Sequence, residues 1–218
     1  NLSFRYEWPI SESAGEYGET LAEESNFKNE FIVWILISIL SLSLRLTPSF
    51  GPDLVKHILD SFDYRETNTV LDPFAGASTT LIECQLLNIK SYGFEINLFL
   101  YFVGKTSTAW NINVNTLKKV SSKTFSLFSK LKYKYAKMSC EELPYEIPPI
   151  HNVYRWWRPD VLKDIIILKS AIEETTKEYE EKYKNLFVLC LAGVLVPDLT
   201  NVTLGRLQLH FIDKTDAK

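Results

Sequence analysis

The residues best suited to bind a ligand lie in one short string. The string reads Val70, Leu71, Asp72, Pro73, Phe74, Ala75, Gly76, Ala77, Ser78, Thr79 and Thr80. The apolar run 69–71 predicts a buried parallel strand leading into Asp72, and 79–87 has the apolar spacing of a helix. The small residues between them predict a tight turn whose backbone N–H groups can approach a ligand closely. We therefore expect a binding loop at the carboxyl end of a strand.

A second position with chemical potential is Glu95. The segment 91–95 predicts a second strand, which gives the strand, helix, strand order of a parallel α/β unit. Glu95 follows Gly76 by 19 residues, close to the roughly 20 at which an acidic residue reaches ribose hydroxyls in dinucleotide-binding folds. The Gly-x-Gly-x-x-Gly pattern is absent, which disfavours a dinucleotide. An ordinary α/β turn followed by a strand-end glutamate is the simpler alternative.

The whole string resembles the Asp-Pro-Phe-x-Gly-x-Gly-Thr-Thr signature of the DNA amino-methyltransferases. Residues 93–97, which read Gly, Phe, Glu, Ile and Asn, resemble the ribose-binding motif that follows it in that family. The resemblance implies S-adenosylmethionine as the cofactor. It also implies an α/β fold with a Rossmann-like class I methyltransferase sheet and a helical insertion, incomplete in this chain.

By the same resemblance, Asp72, Phe74 and Gly76 line the methionine side of the cofactor and Glu95 holds the ribose. The residues that the resemblance assigns to the cofactor are Thr47, Pro48, Phe50, Asp72, Pro73, Phe74, Gly76, Ser78, Thr79, Glu95 and Asn97. Ser78 stands where the signature has its second glycine, which narrows the loop there.

The family's catalytic motif is Asp, Asn or Ser followed by two prolines and an aromatic residue. The sequence has one Pro-Pro pair, Pro148 and Pro149, and it lies between Ile147 and Ile150. It lacks the polar group that holds the exocyclic amino group of an extruded base and the ring that stacks on that base. The catalytic residues are therefore unassigned. In relatives whose cofactor motif precedes the catalytic motif, an insertion lies between the two, and 150–213 resembles that insertion. We therefore expect the catalytic motif beyond Lys218 or on another chain.

Charge is distributed unevenly along the chain. The formal net charge is -3, yet no acidic residue occurs between Ile96 and Cys140, and 115–137 predicts a long basic amphipathic helix. Lysines in this helix could track phosphates, and the flat rings and guanidiniums near 155–158 could stack on bases or clamp phosphate. The candidate nucleic-acid residues are Lys130, Lys132, Lys134, Arg155, Trp156 and Arg158.

The simpler alternatives are a solvated helix face for the lysines and a structural role for the aromatic and arginine residues near 155–158. In the latter, one tryptophan anchors the insertion to the core and the arginines pair with acids in 173–181.

Apolar spacing and chain breakers divide the sequence into four parts. These are an N-terminal arm and helical segment (1–64), a cofactor-binding α/β core (65–115), a helical insertion with a DNA contact (116–184) and a return to the core (185–218). Asp53 and Asp160 are predicted N-caps, the second for a helix that runs on towards Lys184. We further expect a core helix over 186–196 and a strand over 207–211.

Several classes of protein are disfavoured. The longest uncharged run, 31–44, is shorter than the roughly 20 apolar residues that cross a bilayer, so no membrane segment is expected. Cys84, Cys140 and Cys190 are too far apart for a metal knuckle, and their odd number argues against a disulfide framework, so we expect a reducing, cytoplasmic setting and no metal. The first residue, Asn1, predicts a processed or partial chain.

The sequence thus predicts an S-adenosylmethionine-dependent methyltransferase that modifies an exocyclic amino group of adenine or cytosine in DNA by direct displacement. Its partners would be DNA and the segment or companion chain that carries the catalytic motif. Two alternatives stay open: an RNA guanine amino-methyltransferase, whose families can share the loop, and a non-catalytic subunit that binds cofactor or DNA.

Overall fold

A computed structural model describes residues 50–62, 68–195, 199–204 and 209–211. In chain order the helices are α1 (Pro52–Ser61), α2 (Thr79–Leu86), α3 (Leu98–Ser107), α4 (Val114–Lys134), α5 (Val153–Trp156), α6 (Pro159–Thr176) and α7 (Glu181–Val194). The strands are β1 (Thr69–Asp72), β2 (Lys90–Gly93), β3 (Val202–Leu204) and β4 (Leu209–Phe211). The predictions for the N-terminal arm, for Thr47 and for Pro48 lie outside the described residues.

Strands β1 and β2 form a parallel pair, as the order strand, helix, strand predicts. Their register runs from Thr69 opposite Lys90 to Asp72 opposite Gly93. Helix α2 connects them, and Asn88, in the left-handed region at φ 56°, ends the turn that follows it. Strand β2 stops at Gly93, so the expectation that Glu95 ends the strand is wrong. The described part of the chain is therefore mixed α/β with a small parallel sheet.

One face of this sheet is covered by α1 and α2. Its buried cluster consists of Val55, Leu59, Cys84 and Ile89, with Val70 and Leu87 packed against it. Leu86, also on α2, is half exposed. On the other face, the register partners Leu71 and Tyr92 are 59% and 52% exposed. Parallel sheets in α/β proteins are usually covered on both faces, so within the described residues this face lacks its cover.

The remaining helices form a second packed region. Helix α6 packs against both α4 and α7, and α7 also contacts α3. Two buried clusters hold these helices together; their members are Leu117, Val120, Ile172, Tyr183, Leu186 and Phe187 in one, and Tyr135, Cys140, Leu143, Leu162, Ile166 and Ile167 in the other. Helix α4 confirms the predicted long amphipathic helix, whereas α3 was not predicted.

Two predicted helix starts are wrong by two residues. The N-caps of α1 and α6 are Gly51 and Arg158, each followed by a proline at the first helical position. Proline is favoured there because its missing N–H would have no helical partner. The aspartates at 53 and 160 therefore lie in the first turn, where a negative charge is stabilised by the positive end of the helix dipole.

The predicted single helix over 160–184 is two helices, because α6 ends at Thr176 and α7 begins at Glu181. The predicted core helix over 186–196 lies within α7 up to Val194. Strands β3 and β4 pair antiparallel, with Val202 opposite Phe211, and β4 covers the described portion of the strand predicted over 207–211.

Two findings in the described ranges concern membrane-spanning and metal-binding proteins. No helix in these ranges is long and apolar enough to cross a membrane. Nor do they contain a group of three or more His, Cys, Asp and Glu side chains that could hold a metal ion.

Candidate functional site

The candidate site begins where β1 and β2 end side by side. Beyond the strands, the Phe94 N–H donates to the Asp72 carbonyl at 2.9 Å, and the Ala75 N–H donates to the Phe94 carbonyl at 2.9 Å. The parallel pairing thus continues into the loop 73–78, which we call the cofactor loop. This loop occupies the carboxyl edge of the strands, where open α/β sheets bind their ligands.

Left-handed backbone conformations shape the cofactor loop. Gly76 has φ 53° and Ser78 has φ 68°. Glycine adopts this region at no steric cost, whereas a serine there is strained by its Cβ. The Ser78 side chain forms no hydrogen bond that caps α2. Its backbone nevertheless fixes the turn, because the Ser78 N–H donates to Ala75 at 2.7 Å and its carbonyl accepts from Ile82 at 3.0 Å.

The Glu95 carboxylate joins the two loops at this edge. Its Oε2 accepts from the Gly76 N–H at 2.8 Å, and its Oε1 accepts from the Asn97 N–H at 2.7 Å. The carboxylate therefore holds the cofactor loop against the segment that follows β2. Since each carboxylate oxygen can accept about two hydrogen bonds, Glu95 retains acceptor capacity for hydroxyl groups.

Two other site residues predicted from the sequence have structural partners. Asp72 Oδ1 accepts from the Phe74 N–H at 3.0 Å, which tightens the start of the loop. Asn97 Oδ1 accepts from the N–H groups of Phe99 and Leu100 at 2.9 and 3.2 Å. Asn97 is thus the N-cap of α3, a role that satisfies helix donors without a ligand.

Apolar side chains stand exposed around this edge. Phe74 is 87% exposed and Ile96 is 97% exposed, and Phe94 and Leu98 are also open to solvent. The sequence-based prediction missed Ile96 and Leu98 as candidates. The available signal was an apolar residue directly after Glu95, where a solvated loop would carry a polar one. These side chains offer an apolar surface to a flat ring.

The structure brings together most of the predicted cofactor residues. Those on the cofactor loop, at the start of α2 or just after β2 are Asp72, Pro73, Phe74, Gly76, Ser78, Thr79, Glu95 and Asn97. Phe50 is separate from them in the chain, exposed next to the start of α1.

Gly93 packs where no side chain fits. A Cβ at this position would lie 2.8 Å from Leu81 Cδ1 and 2.9 Å from Ala75 Cβ. The glycine lets the last residue of β2 approach α2 and the cofactor loop closely.

A cavity of about 410 Å³ lies at the opposite end of the unit. Its lining residues are Leu81, Gln85, Asn88, Ile89, Lys90, Ser91 and Thr108. Because it opens at the amino end of β2, it is distinct from the carboxyl edge that carries Glu95.

The candidate nucleic-acid residues occupy different environments. Lys130 is exposed, whereas Lys132 forms an exposed ion pair with Asp164 at 2.5 Å. The Lys134 Nζ lies 4.9 Å from the centroid of the Tyr135 ring. The lysines of α4 therefore reach solvent, and some of them also have a partner within the protein.

The segment around α5 follows the structural alternative in part. Trp157 packs against the second helical cluster, while the rings of Trp156 and Trp157 lie 6.5 Å apart with planes tilted by 39°. Arg158 pairs with Asp160 through two hydrogen bonds, at 2.7 and 3.1 Å. The expectation that it pairs with acids in 173–181 is therefore wrong.

A polar group links the loop after α4 to α5. The Tyr154 hydroxyl donates to the Glu141 carboxylate, and this bond raises the pKa of Tyr154 to about 12. The same bond lowers the pKa of Glu141. Burial raises the pKa of the Cys140 thiol, which donates to the Pro159 carbonyl at 3.2 Å. A buried thiol with a raised pKa is unreactive, so this group has a structural role.

Comparisons with known proteins find similarity to DNA methylases. Residues 20–102 match the family model of a DNA methylase, and this segment contains the cofactor loop and Glu95. This match confirms the resemblance to DNA methylases drawn from the motifs.

A particular relative is also similar over a short region. The Type II methyltransferase M.BsoBI of Geobacillus stearothermophilus is 34% identical over 53 residues, which are 24% of this chain and 10% of that protein. The match thus spans about a tenth of the relative's length. No solved structure matches this chain.

Proposed function

We propose that the cofactor loop and Glu95 bind S-adenosylmethionine, and that the chain is the cofactor-binding part of an enzyme that methylates an exocyclic amino group of adenine or cytosine in DNA. The observation that carries the proposal is the Glu95 carboxylate bound to the Gly76 N–H at 2.8 Å. This contact puts the acidic residue and the glycine turn of the family motif at one edge of a parallel sheet, within the segment that matches DNA methylases.

The residues of this chain have separate proposed roles. Glu95 accepts hydrogen bonds from the ribose hydroxyls with its remaining lone pairs. The exposed side chain of Ile96 provides an apolar face for the adenine ring. The start of α2 at Thr79 favours the carboxylate of the methionine moiety, because a helix N-terminus carries partial positive charge. When bound, S-adenosylmethionine supplies the methyl group on its sulfonium, ready for direct displacement by an amino group.

DNA is the proposed substrate. Support comes from the matched family and from the lysine-bearing surface of α4, whose exposed Nζ groups suit phosphates rather than base edges. Arg155, Trp156 and Arg158 remain a second proposed contact, beside α5. The four-part division of the sequence is proposed with the same roles: an arm, a cofactor core over 65–115, an insertion over 116–184 and a return segment.

The catalytic motif is proposed to come from residues outside 1–218, on the same polypeptide or on a companion chain. The Pro148 and Pro149 pair lacks the polar group and the ring that would receive a base. The exposed face at Leu71 and Tyr92 supports this proposal, because it offers apolar sheet surface that the described residues leave uncovered.

The proposal is tested by calorimetry with S-adenosylmethionine. We expect saturable binding, competition by S-adenosylhomocysteine, and no competition by ATP or NAD⁺, which share the adenosine but lack the methionine moiety. A folded protein that binds none of these would contradict the proposal. Equal affinity for ATP and S-adenosylmethionine would show that the site recognises adenosine in general. Duplex DNA and tRNA, compared as methyl acceptors in the presence of the catalytic segment, separate the DNA and RNA alternatives.

A further inference from the structure

The packing of Ser78 on Gly104 joins the cofactor loop to α3. Ser78 is the N-cap of α2 and only 4% exposed, and its backbone is left-handed at φ 68°. Gly104 lies inside α3 and is also buried. These two residues are 26 positions apart in the sequence, so their contact is tertiary.

The space at Gly104 is taken by the serine side chain. A Cβ on Gly104 would lie 2.0 Å from Ser78 Oγ and 3.0 Å from Ser78 Cβ. Rotation of the hydroxyl could relieve the first clash. It could not relieve the second, because the Ser78 Cβ is fixed by the backbone. Glycine at 104 therefore makes room for a residue of the loop.

Backbone conformation does not explain this glycine. Gly104 is within an α-helix and its φ is not positive. A glycine in a helix interior is less favourable than alanine, because it loses more chain entropy on folding. The sequence thus retains an unfavourable helix residue at the point where α3 meets Ser78.

A shift of Ser78 would also displace Gly76 and Glu95 in the proposed ligand site. The Ser78 N–H is bonded to Ala75, and Gly76 between them donates to Glu95. Helix α3 is anchored at the same edge, since its N-cap Asn97 donates its own N–H to Glu95. The loop, Glu95 and α3 are thus linked in a closed ring of interactions, in which the packing of Ser78 on Gly104 is the van der Waals contact.

We propose that Gly104 is a positioning residue for the S-adenosylmethionine site, because it accommodates the serine that replaces the second glycine of the loop signature. The proposal rests on the proposed function. It predicts that the two positions are coupled: an added methyl at 104 is harmful only while Ser78 has its side chain.

The test is a double-mutant cycle with the proteins Gly104→Ala, Ser78→Gly and the combination, measured for S-adenosylmethionine Kd and for Tm. Gly104→Ala should weaken binding about tenfold, equivalent to about 1.4 kcal/mol, and lower Tm. Ser78→Gly alters the loop itself, so its own Kd is the reference with which the Kd of the combination is compared. The combination should restore binding to the Ser78→Gly level and raise Tm above it, because alanine then contributes only its better helix propensity.

Gly51→Ala is the control for Kd, since a Cβ there meets no atom within 4 Å; its Tm is not compared, because Gly51 is the N-cap of α1 and alanine is a poorer cap than glycine. Additive effects of the two substitutions on Kd would overturn the proposal, as would a lower Tm in Gly104→Ala with unchanged Kd. If the parent protein binds no S-adenosylmethionine, the proposed function fails and the positioning role fails with it. The Tm cycle then still decides whether Ser78 and Gly104 are packed as described.

Discussion

Removal of the Glu95 side chain should affect both the fold and the cofactor. Glu95→Ala leaves the Gly76 and Asn97 N–H groups without their carboxylate acceptor. A hydrogen bond to a charged group contributes about 1.5–3 kcal/mol to stability. The bond to Gly76 is half-buried, whereas water can replace the exposed bond to Asn97. We therefore expect a destabilisation of about 1–2 kcal/mol, or roughly 2–8 °C in Tm for a chain of this size.

The expected effect on the cofactor is larger than the effect on stability. Removal of the ribose hydrogen bonds to a charged group, at about 1.5–3 kcal/mol, corresponds to a Kd increased by roughly 10- to 150-fold. Glu95→Gln should be intermediate, because its single amide oxygen can satisfy only one of the two N–H groups while the NH₂ group faces the other.

Calorimetry and thermal unfolding on the same preparations separate the two effects. Glu146→Ala, which removes an exposed carboxylate outside the site, is the matched control and should leave Kd and Tm unchanged. The reasoning would be refuted by folded Glu95→Ala protein that binds S-adenosylmethionine with the Kd of the parent. It would also be refuted if Glu95→Gln and Glu95→Ala were equal in Tm to the parent, because Glu95 would then not hold the loop.

Four further predictions concern other parts of the chain. Residues 1–218 should bind S-adenosylmethionine but transfer little or no methyl to mixed-sequence DNA. The measurement is radiolabelled methyl transfer by this chain alone and by a preparation supplied with a Pro-Pro-aromatic segment. Strong transfer without that segment would show that another group receives the base. Neutralising Lys130, Lys132 and Lys134 should reduce the slope of log affinity for DNA against log salt by about 0.9 for each phosphate that these lysines no longer neutralise, and an unchanged slope would assign them to a solvated face. Stability should fall as pH rises from about 10 to about 12, because the pKa of Tyr154 is raised to about 12 in the folded state and the protonated phenol is favoured only there; Tyr154→Phe should flatten that fall in urea titrations. Cys190 is half-buried, and burial raises the pKa of its thiol to about 12; it should therefore react with a thiol reagent at pH 8 more slowly in the native protein than in urea, and equal rates would contradict the raised pKa.

The carboxyl edge of β1 and β2 was largely predictable because short segments of the sequence determine its structure. The β-branched run before Asp72, the small residues after it and the helix from Thr79 each obey short-range rules, and all three occur in the structure. The hydrogen bond from Gly76 to Glu95 could be anticipated only as a proximity, from the spacing of 19 residues. The capping of α3 by Asn97 had a sequence signal, an asparagine before an apolar stretch, that went unused.

Other features depend on tertiary contacts and had no local signal. The break between α6 and α7 follows no proline or glycine; Tyr183 instead packs in a helical cluster and its hydroxyl accepts from the Asn113 N–H at 3.2 Å. The aspartates predicted as N-caps were displaced because a proline precedes each of them at the first helical position. The packing of Ser78 on Gly104 joins residues that no periodicity relates.

The ion pairs on the helical region bear on how DNA could be held there. Lys132 and Arg158 already have carboxylate partners in Asp164 and Asp160. These pairs are exposed, and exposed pairs contribute only about 0–1 kcal/mol, so a phosphate could replace the carboxylate at little cost. Lys130 needs no such exchange, because among the residues that the structure describes no acid pairs with it. If this surface binds DNA, Lys130 should therefore contribute more to affinity at low salt than Lys132, and the acid Asp164 should oppose binding until its lysine is released.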